Sequence, residues 1–504
     1  MDSTQNTPIG KIRNAAELGQ LVRILRQQQG ATQADLANFS QTGPRFIVEL
    51  ESGKPTVRLD KHARRGADYK KTQMRALNVF RDGRIVGSLF DVEGELGFAY
   101  AASWINAGGP PLSPDLPLPS NAQANDTFSD ASTRTFFDNL LPEGTIRAFI
   151  AQALKISPDN VFGLLERFGG DTAGAYSILP IGDAPSDEPR YVPIGAEQLA
   201  AWFSESRGVP LMLEEGAARM SLSGAQDKIT VYISDDDKMA LPLADAPSSH
   251  IIKPAISYRS DLPASAANEV YVMRLAAASG LQVPVVRFDA ELNAAIIARY
   301  DRYWKPDGRL GRLHQVDLCQ AMGLPSSRKY EAEGGPAFAD CLRYVTGNSS
   351  APVADGRRML GWLAFNLIVG NMDSHAKNLS MLYDPEDEER PKLAPFYDIL
   401  STTIYPQLST RFAFRIGGED RPEWIMERHW ARFARDTRLS LHYVKHIVSS
   451  TAKSVQQALP TVHEPMLREI SGEADAKMLS KIHDHIDKQA KVLLARITAP
   501  SPKT

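Results

Sequence analysis

The sequence has 504 residues, of which 43% are hydrophobic and 23% are charged, a composition that excludes wholesale disorder and predicts two to four globular domains. Only two cysteines occur, Cys319 and Cys341, which excludes a disulfide framework and a cysteine-rich zinc site and favours a reducing compartment. The first residues lack a signal-peptide pattern, and no run approaches the ~18 apolar residues of a membrane span, so we expect a cytoplasmic protein without a membrane partner.

The charge is unevenly distributed along the chain. Residues 1–73 hold 12 Lys and Arg against 7 Asp and Glu, whereas the remaining residues hold 45 against 53. A small basic head on a larger acidic body indicates that only the head meets a polyanion such as nucleic acid.

Three short helices are predicted in this head. Apolar residues recur at helical spacing in 15–29, and two further helical segments, 33–39 and 45–51, follow it. The break between the last two is typical of a helix-turn-helix, and the stretch resembles the helix-turn-helix of HipB-type and Cro-type regulators, although Gln41 stands where the turn usually has glycine. A plain helical hairpin is the alternative. The motif makes duplex DNA a candidate partner, with four candidate contacts: Gln33, Gln41, Thr42 and Arg45.

From residue 74 onward, strand and helix patterns alternate. A β-hairpin with an Asp-Gly turn at 82–83 is predicted first, and beyond residue 310 the chain is expected to be mostly helical. Helices are predicted at 134–141, 144–155, 157–168 and 265–279, and strands at 228–234, 250–253, 283–289 and 294–300. A long helix with an apolar stripe is expected to end at Pro460, and the later pair His483 and His485 is expected at the surface.

The strongest chemical signal lies in residues 370–378 (GNMDSHAKN), between a predicted helix and a predicted strand. Asp373 and Asn378 are five positions apart, the spacing of the catalytic Asp and metal-binding Asn in a protein kinase. Such chemistry requires a carboxylate that accepts the proton of the attacking hydroxyl and an amide oxygen that holds Mg²⁺. Asp398, at the end of a predicted strand, matches the second metal position. We therefore predict Asp373 as the catalytic base, and Asn378 with Asp398 as the Mg²⁺ ligands beside ATP.

Upstream residues occur in the order of a kinase. A Ser/Gly loop at 219–228 stands where a loop that covers ATP phosphates belongs, Lys253 ends a strand, and Glu269 on the next helix could hold Lys253 in place. Each signal alone is weak, because a lysine at the end of a strand is usually a solvated charge, the loop has one glycine rather than three, and Glu269 is more often a surface charge. The ordered set is much harder to explain by chance.

From residue 74 to about 491, the chain resembles the HipA-type serine/threonine kinases, the toxins of type II toxin–antitoxin pairs. The phrases that carry the resemblance are 136–142 (FFDNLLP), 170–175 (GDTAGA), 223–228 (SGAQDK), 250–253 (HIIK), 315–320 (QVDLCQ), 323–325 (GLP), 370–373 (GNMD) and 396–398 (FYD). The resemblance implies that ATP is bound by Ser223, Gly224, Ala225, Gln226, Lys253, Tyr300, Asp301, Gln315, His375 and Lys377. It also implies regulatory autophosphorylation at Ser221, Ser223 or both.

These patterns together predict an α+β protein with a two-lobed, protein-kinase-like fold, a β-rich N-lobe before a helical C-lobe, an N-terminal subdomain and a small all-α head. The predicted divisions are a shortened helix-turn-helix at 1–60, a linker at 61–73, a HipA N-terminal subdomain at 74–185, the kinase N-lobe at 186–310 and the helical C-lobe at 311–504.

The expected activity is that of an ATP- and Mg²⁺-dependent protein kinase toxin fused to an antitoxin-like DNA-binding head. Expected partners are a protein substrate, which the resemblance suggests is a translation factor such as an aminoacyl-tRNA synthetase, duplex DNA, a separate antitoxin and a second copy of the chain. A DNA-binding regulator with a non-catalytic kinase scaffold is the alternative, and a small-molecule phosphotransferase is a weaker third reading.

Overall fold

The computed structural model describes most of the chain, in two compact units, Met1–Met74 and Arg75–Thr504. The described residues are 15–28, 32–39, 44–54, 75–120, 127–205, 226–256, 259–385 and 387–498. Several predictions fall outside them: the linker at 61–73 and residues Gln41, Thr42, Ser221, Ser223, Gly224 and Ala225. The predicted divisions within the larger unit stay predictions.

The first unit contains the three predicted helices, α1 (Ala15–Gln28), α2 (Gln33–Phe39) and α3 (Pro44–Glu51). Gly19 allows α1 to approach α3 closely, since a Cβ at this position would lie 2.2 Å from the carbonyl oxygen of Leu50. Glu51 is buried and ties the three helices together, because it accepts hydrogen bonds from Arg26 on α1 and Gln33 on α2.

The second unit begins with an antiparallel sheet of four strands in the order β3-β2-β1-β4. Its strands are β1 (Arg75–Arg81), β2 (Arg84–Val92), β3 (Glu95–Tyr100) and β4 (Ser177–Pro180). The predicted hairpin is confirmed: Asp82 and Gly83 have φ of 47° and 76°, the left-handed pair that a two-residue turn between right-twisted strands requires.

Residues 102–205 contain five helices: α4 (Ala102–Asn106), α5 (Asp130–Asp138), α6 (Gly144–Leu154), α7 (Val161–Phe168) and α8 (Ala196–Glu205). Helix α7 begins four residues later than predicted because the Asn160 side chain caps it, accepting a hydrogen bond of 2.9 Å from the backbone N–H of Gly163.

A six-stranded antiparallel sheet follows in the order β5-β7-β6-β8-β10-β9. Its strands are β5 (Tyr191–Pro193), β6 (Ile229–Ile233), β7 (Met239–Pro242), β8 (His250–Pro254), β9 (Val286–Asp289) and β10 (Ala294–Ala298). Helix α9 (Ser265–Ala278) is buried along almost its whole length, including the polar residues Asn268 and Glu269. A charge this deeply buried needs a partner, which the cleft described below provides.

The rest of the unit contains a hairpin, a three-stranded sheet and six helices. These elements are β11 (Arg302–Trp304), β12 (Leu310–Arg312), β13 (Gln315–Asp317), α10 (Leu318–Ala321), α11 (Phe338–Asn348), α12 (Pro352–Val369), β14 (Ser380–Asp384), β15 (Asp387–Leu393), α13 (Glu427–Asp436), α14 (Leu441–Glu469) and α15 (Glu473–Thr498). In the sheet β13-β14-β15, β14 confirms the strand predicted after residue 378, whereas β13 and β15 are additions to the mostly helical region that was predicted. None of the helices in the described ranges combines the length and apolarity that crossing a bilayer requires.

Three sequence predictions about this region are wrong. Helix α14 continues through Pro460 to Glu469, because its buried stripe extends to Val462 and Met466 and this packing outweighs the backbone hydrogen bond that a proline cannot donate. Residues 396–401 form no strand. The His483 and His485 side chains are half-buried rather than at the surface, and they lie within hydrogen-bonding distance of the hydroxyls of Tyr271 and Thr403, at 3.1 and 3.0 Å.

Candidate active site

A cleft in the second unit brings together nine of the predicted site residues. Its apolar part is lined by Ile251 of β8, Met273 of α9, Pro284, and Ile297 with Ala298 of β10. Its polar part contains the predicted residues Lys253, Tyr300, Asp301, Gln315, Asp373, His375, Lys377, Asn378 and Asp398. Gln226 is described but is not among the lining residues.

The loop at 370–378 is held in shape by its own polar residues. Helix α12 ends at Gly370, whose φ of 71° turns the chain out of the helix. The Asn371 side chain accepts a hydrogen bond of 3.2 Å from the backbone N–H of Asp373, and Asn378 Nδ2 donates to the Asp373 carbonyl at 2.8 Å. The segment from Asp373 to Asn378 therefore forms a closed turn, and both side chains line the same cleft.

Asp373 lies at the mouth of the cleft, with 52% of its side chain exposed. The hydroxyl of Tyr330 donates a hydrogen bond to Asp373 Oδ1, and His375 Nε2 lies 3.9 Å from the same oxygen. Burial on the protein side raises the pKa of Asp373, while the Tyr330 hydrogen bond works to lower it. The carboxylate has a second oxygen, Oδ2, to accept from an approaching hydroxyl.

Lys253 is paired with two carboxylates. Its Nζ lies 2.6 Å from Glu269 Oε1 and 2.7 Å from Asp398 Oδ1. Burial works to lower the pKa of Lys253, but the Asp398 and Glu269 charges outweigh it and hold the pKa above its ordinary value. The pKa of Asp398 is below its usual range because Lys253 and Lys228 overcome the effect of burial. Glu269 is therefore a buried partner of Lys253 rather than a surface charge.

The backbone at Asp398 adopts a left-handed conformation, with φ of 58°. This region is unfavourable for a residue with a Cβ, and such residues concentrate at functional sites. The neighbouring Tyr397 hydroxyl donates a hydrogen bond of 2.6 Å to the Lys377 carbonyl, which ties the Asp398 segment to the 370–378 loop.

Tyr300, Gln315 and Asp301 form a connected polar group at one wall of the cleft. The Tyr300 hydroxyl donates to Gln315 Oε1, and Gln315 Nε2 donates to Asp301 Oδ2 at 3.1 Å. The Asp301 carboxylate also accepts hydrogen bonds from Arg299 and from the backbone N–H of Gly174. Because its oxygens are already engaged and only 3% of the residue is exposed, the geometry does not support a direct nucleotide contact by this carboxylate.

Lys377 was also predicted to contact ATP, and its geometry does not support this either. Its ammonium reaches the carbonyl oxygen and Oδ1 of Asn139 at 3.0 and 2.8 Å, and Asp317 Oδ2 at 3.0 Å. Three acceptors use all three N–H donors of a lysine.

His375 is buried and uncharged at neutral pH, because burial, aided by the positive charge of Lys329, lowers its pKa to about 3. Its ring packs edge-to-face against Tyr330, with 4.8 Å between centroids. Within the described part of the chain, His375 Nδ1 has no hydrogen-bond partner, which leaves a polar atom for a ligand.

Sequence reasoning missed several residues at the cleft: Asn139, Glu143, Lys228, Asp317, Lys329 and Tyr330. Three of them lie inside phrases that were recognised for other reasons, namely Asn139 in 136–142, Lys228 in 223–228 and Asp317 in 315–320. Burial, together with the charge of Lys253, lowers the pKa of Lys228 to about 8. Nothing in the local sequence signalled Glu143, Lys329 or Tyr330.

In the head, two of the residues predicted to contact DNA, Gln33 and Arg45, have different surroundings. The Gln33 amide donates to Glu51 and thus serves the packing of the helices, whereas Arg45, at the start of α3, has 91% of its side chain exposed.

Two family models match the chain. The HipA N-terminal domain model matches residues 77–179, and the HipA-like C-terminal domain model matches residues 220–459. "Putative kinase Y4mE" of Sinorhizobium fredii is 40% identical over 401 residues, which cover 77% of this chain and 92% of that protein. The serine/threonine-protein kinase toxin HipA of Shewanella oneidensis is 30% identical over 377 residues, which cover 72% of this chain and 83% of that toxin.

A solved structure and a short relative complete the comparison. The Shewanella oneidensis MR-1 complex of HipA, HipB and operator DNA contains a chain with 27% identity and a TM-score of 0.71, and the match covers 84% of this chain and 98% of that chain. The mixed α/β fold of the larger unit is therefore similar to that of a solved HipA complex. The HTH-type transcriptional regulator y4mF of Sinorhizobium fredii is 47% identical over 51 residues, 10% of this chain and 67% of that regulator.

Proposed function

Since the chain belongs to the HipA family, we propose that it is a protein kinase that transfers the γ-phosphoryl group of ATP to a serine or threonine hydroxyl, and that it acts as the toxin of a toxin–antitoxin pair. The observation that carries this proposal is that Lys253, Asp373, Asn378 and Asp398 line one cleft, with Glu269 buried against Lys253. The five residues occur in the order of a kinase along the chain. A scaffold that no longer catalysed would have no need to keep all five.

ATP fits the two parts of this cleft. The apolar part suits a base, while the polar part holds the ammonium groups of Lys228 and Lys253, whose charge complements phosphates. Lys253 has three N–H donors and two carboxylate partners, so one donor is available to a phosphate oxygen.

The donor set also suits Mg²⁺. Asn378 and Asp398 supply an amide oxygen and a carboxylate, the hard ligands that this ion takes when substrate phosphates and water complete its shell. When bound, Mg²⁺ would neutralise charge on the phosphates.

The protein's own groups have distinct tasks in this mechanism. Asp373 Oδ2 orients the acceptor hydroxyl and accepts its proton, while Tyr330 holds Oδ1. Neutral His375, buried beside Asp373, supplies a polar atom to the transferred group. Glu269 keeps Lys253 in place, so that the ammonium is in position before the nucleotide arrives.

We propose two further functions for segments around this core. The basic head binds operator DNA, supported by the exposed Arg45 and by the similarity to regulator y4mF, and a separate antitoxin is a second candidate partner. Autophosphorylation at Ser221 or Ser223 regulates the kinase; both serines lie outside the described residues, so this rests on the family resemblance alone.

The proposal is tested by incubating the purified chain with Mg-ATP and a host lysate and identifying phosphoproteins by mass spectrometry. Asp373→Asn should lower transfer by about 10²–10⁴-fold, since it removes the proton acceptor, and should retain ATP binding. Asp436→Asn, a change at an exposed carboxylate on α13, is the matched control. If wild type and Asp373→Asn are both inactive, a DNA-binding regulator with a non-catalytic scaffold is favoured. Phosphorylated small molecules without phosphoproteins would favour a small-molecule phosphotransferase.

A further inference from the structure

A turn that lies far from the kinase-like motifs in the sequence reaches into the cleft. Helix α5 ends at Asp138 and α6 begins at Gly144, and the residues between them include Asn139, Leu140 and Glu143, which line the cleft. This turn belongs to the segment matched by the HipA N-terminal domain model.

Asn139 holds one end of the loop at 370–378, which carries Asp373 and is called the catalytic loop below. Both its carbonyl oxygen and its side-chain oxygen accept hydrogen bonds from Lys377 Nζ, at 3.0 and 2.8 Å. Its own amide is fixed in turn by donating to the carbonyl oxygens of Thr135 and Leu324. Asn139 is 2% exposed, and Lys377 directly precedes the candidate metal ligand Asn378.

Glu143 holds the same loop from a second point. Its carboxylate lies 2.6 Å from Lys329 Nζ and 3.5 Å from Lys377 Nζ. The backbone carbonyl of Lys329 accepts the N–H of Ala376 at 3.2 Å, inside the catalytic loop. Burial would raise the pKa of Glu143, but Lys377 and Lys329 outweigh it and lower the pKa to about 2, so the carboxylate is charged at every physiological pH.

We propose that Asn139 and Glu143 are positioning residues for phosphoryl transfer, which act through Lys377 and Lys329 to fix the catalytic loop. This inference rests on the proposed kinase function and deepens it, because it makes the N-terminal domain a working part of the active site. It also gives the buried Lys377 and the half-buried Lys329 acceptors on a domain that precedes the kinase-like motifs in the sequence, in addition to the bond from Lys377 to Asp317.

The electrostatics of the turn explain why the effect should be on the rate of transfer. Without the Glu143 charge, two nearly buried ammonium groups face each other with fewer carboxylates, and the loop between them must shift to expose them to water. A displacement of about 1 Å at reacting groups costs on the order of 10²-fold in rate. The apolar wall around Ile251 and Ile297 is built from other strands, so the affinity for ATP should change little.

The test measures kcat and the KM for ATP of the full chain. Glu143→Gln and Asn139→Ala should each lower kcat by about 10- to 100-fold and leave KM within about twofold. Glu143→Asp, which keeps the charge, should recover part of the loss. Glu166→Gln, at an exposed glutamate on α7 in the same domain, is the matched control and should behave as wild type.

A second measurement separates positioning from folding and from the proposed function. In amide hydrogen exchange, peptides that cover 371–379 should exchange faster in Glu143→Gln than in wild type, while those of α14 stay unchanged. Lys329→Gln and the double variant Glu143→Gln/Lys329→Gln are measured beside Glu143→Gln. The double variant removes both partners of the ion pair and should lose no more kcat than the weaker of these two single variants.

Three results would each overturn the inference: a wild-type kcat in Glu143→Gln and Asn139→Ala, a rise in their KM for ATP at constant kcat, or additive losses of kcat in the double variant. The wild type could transfer no phosphate while the amides of 371–379 still exchange faster in Glu143→Gln than in wild type. In that case the positioning of the loop by Glu143 is supported and the proposed kinase function fails.

Discussion

Lys253 and Asp398 lie 145 positions apart in the sequence, yet their side chains form an ion pair with 2.7 Å between Nζ and Oδ1. The same ammonium lies 2.6 Å from Glu269. If Asp398 binds Mg²⁺ as proposed, the metal must compete with Lys253 for this carboxylate, and Glu269 would still hold the lysine. The ion pair would then couple the proposed nucleotide-binding and metal-binding groups of the cleft.

Glu269→Gln should lower kcat/KM by about tenfold or more. The amide keeps the shape of the side chain but removes one of the two carboxylate partners that the structure shows for Lys253. The lysine is then drawn further towards Asp398, the proposed metal ligand. Phosphoryl transfer at several ATP concentrations measures the effect. The control is Glu197→Gln, at an exposed residue of α8. Equal kinetics for both variants would mean that Glu269 does not place Lys253.

Tyr330→Phe should move the acid limb of the kcat/KM profile to higher pH. Burial and the charges of Asp398 and Glu143 raise the pKa of Asp373, and the Tyr330 hydrogen bond lowers it together with Lys329. A base is active above its pKa, so loss of the hydroxyl raises that pKa and activity falls away at a higher pH than in wild type.

The matched control for this variant is Tyr344→Phe, since Tyr344 on α11 does not line the cleft. Initial rates measured across the acid range compare the two. An acid limb that stays in place, or that moves to lower pH, would show that Tyr330 does not stabilise the ionised form of Asp373.

Ser221 or Ser223 should carry phosphate after incubation with Mg-ATP, and the modified protein should be less active. A phosphoserine carries about −1.5 to −2 charges at pH 7, which repel the phosphates of the nucleotide that this loop is expected to cover. Intact-mass spectrometry should find the phosphate on wild type and not on Asp373→Asn or on the Ser221→Ala/Ser223→Ala pair. Phosphate at another position, or full activity of the modified form, would contradict the regulatory role.

Arg45→Ala should weaken binding to operator DNA and reduce its dependence on salt. The guanidinium is 91% exposed at the start of α3, where a recognition helix contacts DNA, and each lost phosphate contact lowers the slope of log K against log[salt] by about one. Fluorescence anisotropy at several salt concentrations measures both quantities. Arg23→Ala, at an exposed arginine of α1, is the comparison and should have the smaller effect.

Asp171→Asn should lower the free energy of unfolding by roughly 3–5 kcal/mol, the cost of breaking a buried ion pair by removing one partner. The Asp171 carboxylate is 1% exposed and is surrounded by Arg299, Arg302 and Arg312. Thermal and denaturant unfolding measure the change, with Asp235→Asn at an exposed turn as the control. Equal stability of the two variants would show that the arginine cluster finds other counter-ions.

The sequence by itself determined the local features of this protein. Helical periodicity predicted the three helices of the head, the Asp-Gly pair predicted the first hairpin, and the five-residue step from Asp373 to Asn378 predicted one loop that carries both residues. These features depend on contacts between neighbours in the chain, and such contacts leave a regular pattern of residue types.

Only the tertiary structure decided which distant groups share the cleft. Glu143, Lys329 and Tyr330 show no motif, and Lys377 shows one but has its acceptors on Asn139 and Asp317. The path of the chain sets these partners, because a charge or hydroxyl has the same local appearance in the sequence whether it meets water or a buried partner. The same reason accounts for α14, where packing along a continuous apolar stripe outweighs the local tendency of Pro460 to end a helix.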